Sequence, residues 1–205
     1  MAVRQRPVLR YATRSGEEPR GLAALDRPIL DGDLQQTLIG RRLHAVIAGV
    51  CAEGHGGLIR DRVREACLDL VRREEVGWHR RSITQRIESY AQIYFAFFGP
   101  PPDWHFLGAE LSVADGLLDL AWESARAEVL YDEVKSGGYR APVIEARHRE
   151  QIERYRRDGV TRFGSRFRGV RLLVLGAPYA SRLLRPSGEL VPLDATPYRF
   201  GETVR

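Results

Sequence analysis

At Gly99-Pro100-Pro101-Pro102 the chain changes its hydrophobic period, and neither a helix nor a strand runs through such a tetrapeptide. Before it, apolar residues recur at helical spacing. Leu34, Leu38, Leu43, Val46, Ile47 and Val50 mark a first helix ended by Gly54, Gly56 and Gly57, and further helices are expected over 58–73 and 82–98. After it come short apolar runs at 104–113, 116–122 and 128–135, separated by Asp115-Gly116 and a polar patch at 123–126. They read as a three-stranded meander closed by Gly137 and Gly138. A charged helix over 143–157, a buried strand over 170–175 and one or two short strands within 180–193 complete the order. The expected class is α/β: a central mixed β-sheet flanked by helices, with a helical segment before the sheet.

Residues 34–205 read as one domain. Residues 1–33 carry Arg4, Arg6, Arg10, Arg14 and Arg20 among Pro and Gly without a sustained period, and read as an extended Arg-rich arm. With 205 residues, 43% hydrophobic and 29% charged, the chain has material for a real core, which excludes disorder and a small disulfide scaffold. No stretch approaches the roughly 18 apolar residues of a membrane span, so a soluble, cytoplasmic protein with no membrane partner is expected. Cys51 and Cys67 are too few for a four-thiolate cluster and read as buried, reduced thiols.

The formal charge is +5, which favours a polyanionic partner. Of 32 basic residues only one is Lys, at position 135, and the chain has no Asn. Lys and Asn share A/T-rich codons, so a G/C-rich genome explains the bias. Lys135 is then conspicuous, because Arg cannot replace a compact ammonium whose pKa must adjust.

Two expected strands carry charge where a central sheet is ordinarily apolar. Gly116-Leu117-Leu118-Asp119-Leu120 sets a carboxylate in an aliphatic run, and the next strand ends Asp132-Glu133-Val134-Lys135. Alternate strand residues share a face, so Glu133 and Lys135 project together and Asp132 points the other way. Pairing through the turn at 123–126 sets Asp119 beside Glu133. Two carboxylates that close repel, and need a divalent cation or a shared proton. With oxygen donors and no Cys or His cluster nearby, the ion expected is hard, Mg²⁺ or Mn²⁺. Lys135 would stand at the rim, able to hold a water or a phosphate oxygen, which suits phosphodiester hydrolysis. The competing arrangement is structural, with Asp119 in a buried salt bridge to Lys135 and Glu133 facing water. Asp119 weighs against it, since an isolated core carboxylate is rarely tolerated.

Gly116-x-x-Asp119, followed by Asp132-Glu133-Val134-Lys135-Ser136-Gly137, resembles the signature of the PD-(D/E)XK nuclease superfamily, and more closely its RecB-like branch. Gly40-Arg41-Arg42-Leu43-His44 is similar to that branch's Gly-x-x-x-His motif, whose His is a metal ligand, and Gln151-Ile152-Glu153-Arg154-Tyr155 resembles its Gln-x-x-x-Tyr motif. The four patterns stand in order over residues 40–155. The resemblance implies a restriction-endonuclease-like fold and DNA hydrolysis with Mg²⁺ or Mn²⁺ held by His44, Asp119, Glu133 and the backbone carbonyl of Val134. Lys135 would position or activate water, while Gln151 and Tyr155 touch substrate phosphate or orient Lys135. Gly40, His44 and Ala48 share a helix face, and two small residues there would let the helix approach the sheet closely. Read without the family, His44 also fits a core histidine, and Gln151 and Tyr155 a polar helix surface. Glu110, one strand earlier, is an accessory candidate for the metal or its water.

From Arg147 to Arg171 nine Arg stand against three acids, with Tyr155, Phe163 and Phe167 interleaved. Arg147, Arg154, Arg157, Arg162, Arg166 and Arg168 are the candidates for tracking a DNA phosphate backbone without reading sequence, the aromatics for stacking on unpaired bases. A solvated Arg-rich helix is the alternative. Val134 stands before Lys135 where a phosphate loop demands Gly, and Cys51, His55, Cys67 and His79 lack zinc spacing. With no nucleotide-driven motor, a helicase or other targeting protein is an expected partner, docked by the arm. The settings implied are DNA repair, recombination or antiviral defence. A non-catalytic nucleic-acid clamp or assembly subunit of the same fold, and a nuclease acting on RNA, remain alternatives.

Overall fold

The computed structural model describes residues 32–53, 59–73, 79–99, 103–113, 116–137 and 140–194. Of the expected arm, residues 1–31 lie outside these. Among the described residues three helices come first: α1 (Gly32–Ala52), α2 (Ile59–Arg73) and α3 (His79–Phe97). The strands β1 (Trp104–Val113), β2 (Gly116–Ser124) and β3 (Val129–Lys135) form the meander, and α4 (Ala141–Phe163) leads to β4 (Phe167–Val174), β5 (Arg182–Leu184) and β6 (Leu190–Pro192). The six strands lie side by side in chain order. All neighbours are antiparallel except β3 and β4, whose parallel pairing requires the crossover that α4 supplies. The class is α/β, with a mixed sheet and helices before it.

Local chemistry explains the boundaries that differ from expectation. The β2–β3 loop closes on Ser124, whose Oγ accepts the amides of Arg126 and Glu128, each at 3.2 Å. Ala127 takes the left-handed conformation that such a loop needs, so β2 runs on past Trp122. Helix α4 continues beyond 157 because Gly159 does not break it. A Cβ at Gly159 would lie 2.3 Å from the Phe167 ring, so the missing side chain is the seat of that ring.

Strand alternation separates two apolar layers. Leu130, Val134, Leu173 and Leu175 face α1 and α3 through Leu43, Ile47, Ile87, Ala91 and Tyr94. Val129, Tyr131, Val170, Leu172 and Val174 face α4 through Ile144, Ile152 and Tyr155. Cys51 and Cys67 are free thiols, and burial raises their pKa values to about 12 and about 11, well away from reactivity. Among the described residues no helix is long and apolar enough to cross a membrane.

Asp132 is fully buried on the α1–α3 side. Arg171 grips it with Nε on Oδ1 and Nη2 on Oδ2, both at 2.6 Å, and Trp122 Nε1 and the Tyr94 hydroxyl donate to Oδ2 at 2.8 and 3.2 Å. Arg171 thus leaves the basic stretch for the core. Arg171→Met strands a buried charge and is expected to cost about 3–5 kcal/mol in urea denaturation. Adding Asp132→Asn removes that charge, keeps acceptors for Trp122 and Tyr94, and is expected to recover part of the loss. A single-variant loss below about 1 kcal/mol, the range of solvent-exposed pairs, would contradict the assignment.

Candidate functional site

Pairing of β2 with β3 ends at Leu120↔Asp132. Beyond it a side chain takes over from the ladder: Asp119 Oδ2 accepts the Val134 amide at 2.7 Å. Helix α1 brings His44 to the same point, with Nδ1 3.0 Å from Asp119 Oδ1 and Nε2 3.1 Å from the Val134 carbonyl oxygen. Both ring nitrogens therefore face acceptors, an arrangement that only the imidazolium satisfies in full. Burial opposes that charge, but the charge and hydrogen bond of Asp119, with Glu133 behind them, raise the His44 pKa above its ordinary value.

Glu133 faces the α4 layer and is 1% exposed. Its Oε1 pairs with the Lys135 ammonium and accepts from Gln151 Nε2 at 2.7 Å, whereas its Oε2 is buried with no hydrogen-bond partner among the described residues. Burial and the negative charge of Asp119 push its pKa up to about 7. Lys135 keeps its ammonium partly exposed at the rim, and the salt bridge to Asp119 considered above does not form.

Helix α4 braces the site from below. The Tyr155 hydroxyl donates to the Leu117 carbonyl at 2.7 Å and accepts from Gln151 Nε2 at 3.1 Å. A Cβ at Gly116 would sit 3.1 Å from that hydroxyl, so glycine at the head of Gly116-x-x-Asp119 makes room for Tyr155. The Tyr155 pKa rises to about 12 through burial and the nearby Glu133 charge.

Several expectations are corrected. Gln151 holds Glu133 rather than Lys135, and Tyr155 is buried, so neither forms a polar helix surface. A Cβ at Gly40 would meet nothing within 4 Å, so close helix–sheet approach is not what that glycine provides. Glu110 stands level with Asp119 between the pairs Ala109↔Leu120 and Leu111↔Leu118. Its backbone is left-handed (φ 48°) within an otherwise continuous β1, and the side chain is exposed with no hydrogen bond or ion pair to the site among the described residues. Among the described residues no three His, Cys, Asp or Glu side chains form a ready-made cage for an ion. His44 and Asp119 are engaged with each other, and Glu133 with Lys135 and Gln151. The residues that could hold a cation are these two groups and the Val134 carbonyl, a hard donor set with one unpartnered buried oxygen.

The arginines do not make one surface. Arg147 and Arg154 neighbour His148 and Tyr155 at the site, and Arg157 is exposed farther along α4. Arg162 pairs with Asp158 at 2.7 Å, Arg166 lies over the Phe163 ring at 6.0 Å, and Arg168 pairs with Glu128. Because Phe167 is level with Val129 and Val174 with Lys135, Arg166 and Arg168 sit at the far end of the sheet. At the usual strand rise that is about 20 Å away. Nor are the aromatics free to stack: Tyr155 and Phe167 are buried, and Phe163 packs edge-on against Tyr131. They fill the layer under α4. Sequence reasoning also missed His148, whose Nδ1 lies 3.3 Å from Gln151 Oε1, although its position three residues before Gln151 on one helix was a usable signal.

No protein-family model matches the chain, and no curated protein matches it.

Gly116→Ala is expected to lower stability in the parent and to lower it less in a Tyr155→Phe background, where no hydroxyl meets the added methyl. A thermodynamic cycle from urea denaturation should give a coupling of about 0.5 kcal/mol or more. Additive effects would show that the two motifs do not touch.

Proposed function

We propose that this chain is a Mg²⁺- or Mn²⁺-dependent nuclease of the PD-(D/E)XK superfamily, RecB-like branch, hydrolysing phosphodiester bonds of DNA on a restriction-endonuclease-like fold. The observation that carries the reading is the state of Glu133: a buried carboxylate with one oxygen unpartnered, next to a second carboxylate at the end of the sheet. Lys135 is already paired with Oε1, so what the group lacks is a partner for Oε2, and a hard cation would supply one. The motif residues from α1, β2, β3 and α4 are linked to the strand of Glu133 by hydrogen bonds and ion pairs.

In this reading His44, Asp119, Glu133 and the Val134 carbonyl would hold the ion, and His44 would give up a proton to do so. When bound, such an ion would supply a lowered pKa for a water and neutralisation of charge on the phosphate. Lys135, anchored on Glu133 and partly exposed, holds the attacking water or a non-bridging phosphate oxygen in place. Gln151 keeps Glu133 oriented and Tyr155 holds the strand that carries Asp119, so both position and neither touches substrate. Arg147 and Arg154 flank the site and meet the DNA backbone, with Arg157 extending that contact. Arg162, Arg166 and Arg168, engaged with Asp158, the Phe163 ring and Glu128, are left out of that contact.

Purified protein incubated with linear duplex, circular and single-stranded DNA and with RNA, with and without Mn²⁺, tests the reading. Metal-dependent cleavage of DNA is expected, and Glu133→Ala or Lys135→Ala should reduce it to background while unfolding and DNA binding in EDTA stay near parental. Undiminished cutting by either variant would remove the mechanism. Binding without cleavage of any substrate would instead favour a non-catalytic nucleic-acid clamp, and cleavage of RNA alone would move the substrate. Arg147→Glu with Arg154→Glu should weaken DNA binding and flatten its dependence on salt, as expected when phosphate contacts are lost.

A further inference from the structure

We propose that His148 is a positioning residue of this site: by donating its Nδ1 hydrogen to Gln151 Oε1, it fixes which way round the Gln151 amide sits and so keeps that amide's NH₂ on Glu133. Its bearing on ion binding rests on the nuclease reading above.

The two ends of a glutamine amide have nearly the same shape, so packing alone does not choose between its orientations. Here the chemistry of the neighbours does. Nε2 lies 2.7 Å from Glu133 Oε1 and 3.1 Å from the Tyr155 hydroxyl, which uses both of its hydrogens. The reversed amide would set an oxygen against a carboxylate oxygen. With Nε2 committed, Oε1 is left facing His148 Nδ1 at 3.3 Å. An amide oxygen only accepts, so Nδ1 must carry the hydrogen. Burial, and then the nearby Lys135 charge, lower the His148 pKa, which keeps the ring neutral with a single N–H. His148, Gln151 and Tyr155 occupy positions i, i+3 and i+7 of α4, so one helix face carries the whole chain of contacts.

The consequence falls on Glu133. With Lys135 and Gln151 both on Oε1, that oxygen is taken and Oε2 is the one left for another partner. Without His148, Gln151 Oε1 loses its donor and the amide is held through Nε2 alone, so it can swing and loosen the contact that fixes the Glu133 carboxylate plane. No motif of the sequence marks His148 for this role.

The test begins with long-range ¹H–¹⁵N correlation of imidazole nitrogens in the full chain, which reads the tautomer whether or not the protein cleaves anything. His148 should carry its hydrogen on Nδ1, and Gln151→Leu should abolish that preference. A hydrogen on Nε2 in the parent overturns the proposal. His148→Leu keeps bulk and removes the donor, whereas His148→Asn returns an N–H near the Nδ1 position. Mn²⁺ affinity, read from the free-ion electron paramagnetic resonance signal, should weaken about 10- to 100-fold in His148→Leu, with most of it recovered in His148→Asn. Parental affinity in His148→Leu, or equal impairment in both variants, overturns the proposal. Mn²⁺ binding without cleavage would sink the nuclease reading and leave this one standing. Should the parent bind no Mn²⁺, the nuclease reading falls and the tautomer alone decides whether the pin exists.

Discussion

Asp132 and Glu133 are neighbours on β3, both buried, and strand alternation sends one carboxylate to each face of the sheet. Burying a carboxylate is costly unless its oxygens are fully partnered. Asp132 meets that condition: a two-point guanidinium contact, an indole N–H and a phenol hydroxyl surround it. That network ties β3 to β4, β2 and α3 and holds the middle of the sheet rigid. Glu133 does not meet it, since one oxygen is partnered twice and the other not at all. The same chemical group one residue apart is thus a structural tie on one face and, on the other, an unsatisfied demand for a partner at one oxygen.

The demand is local because β2 leaves β3 where it does. Once the ladder ends at Leu120↔Asp132, Asp119 is free to take the Val134 amide with its side chain, which brings a second carboxylate beside Glu133 and an acceptor within reach of His44. Tyr155 then fixes that end of β2 through the Leu117 carbonyl, and Gly116 gives its hydroxyl room. The four short sequence patterns are therefore parts of one bonded assembly, with α4 joining the carboxylate of one strand to the backbone of the next.

Much of this was legible in the sequence. The break at 99–102 separates helical from extended periodicity, and alternation along Asp132-Glu133-Val134-Lys135 is enough to send Glu133 and Lys135 to one face. What alternation does not encode is where a strand pair stops, so the Asp119 contact to the Val134 amide and the His44 contact to the Val134 carbonyl were out of reach. Partners distant in sequence were also hidden. Arg171 looked like one more member of a basic run because nothing local distinguishes an arginine that will be buried against Asp132 from one that meets solvent. Tyr155, Phe163 and Phe167 were misread for the same reason. Interleaving with arginine suggests exposure, but a helix of period 3.6 hides positions such as Tyr155, and an alternating strand hides Phe167, whatever their neighbours are.

The central claim is that Glu133, Asp119, His44 and the Val134 carbonyl share one cation. Crystals grown without metal and then soaked in Mn²⁺, with anomalous difference density measured at the manganese edge, address it directly. A single peak lying among those four groups, with His44 turned away from its present contact to reach it, is the expected result. Density absent from that position in crystals whose Glu133 and Asp119 side chains are well ordered would contradict the account.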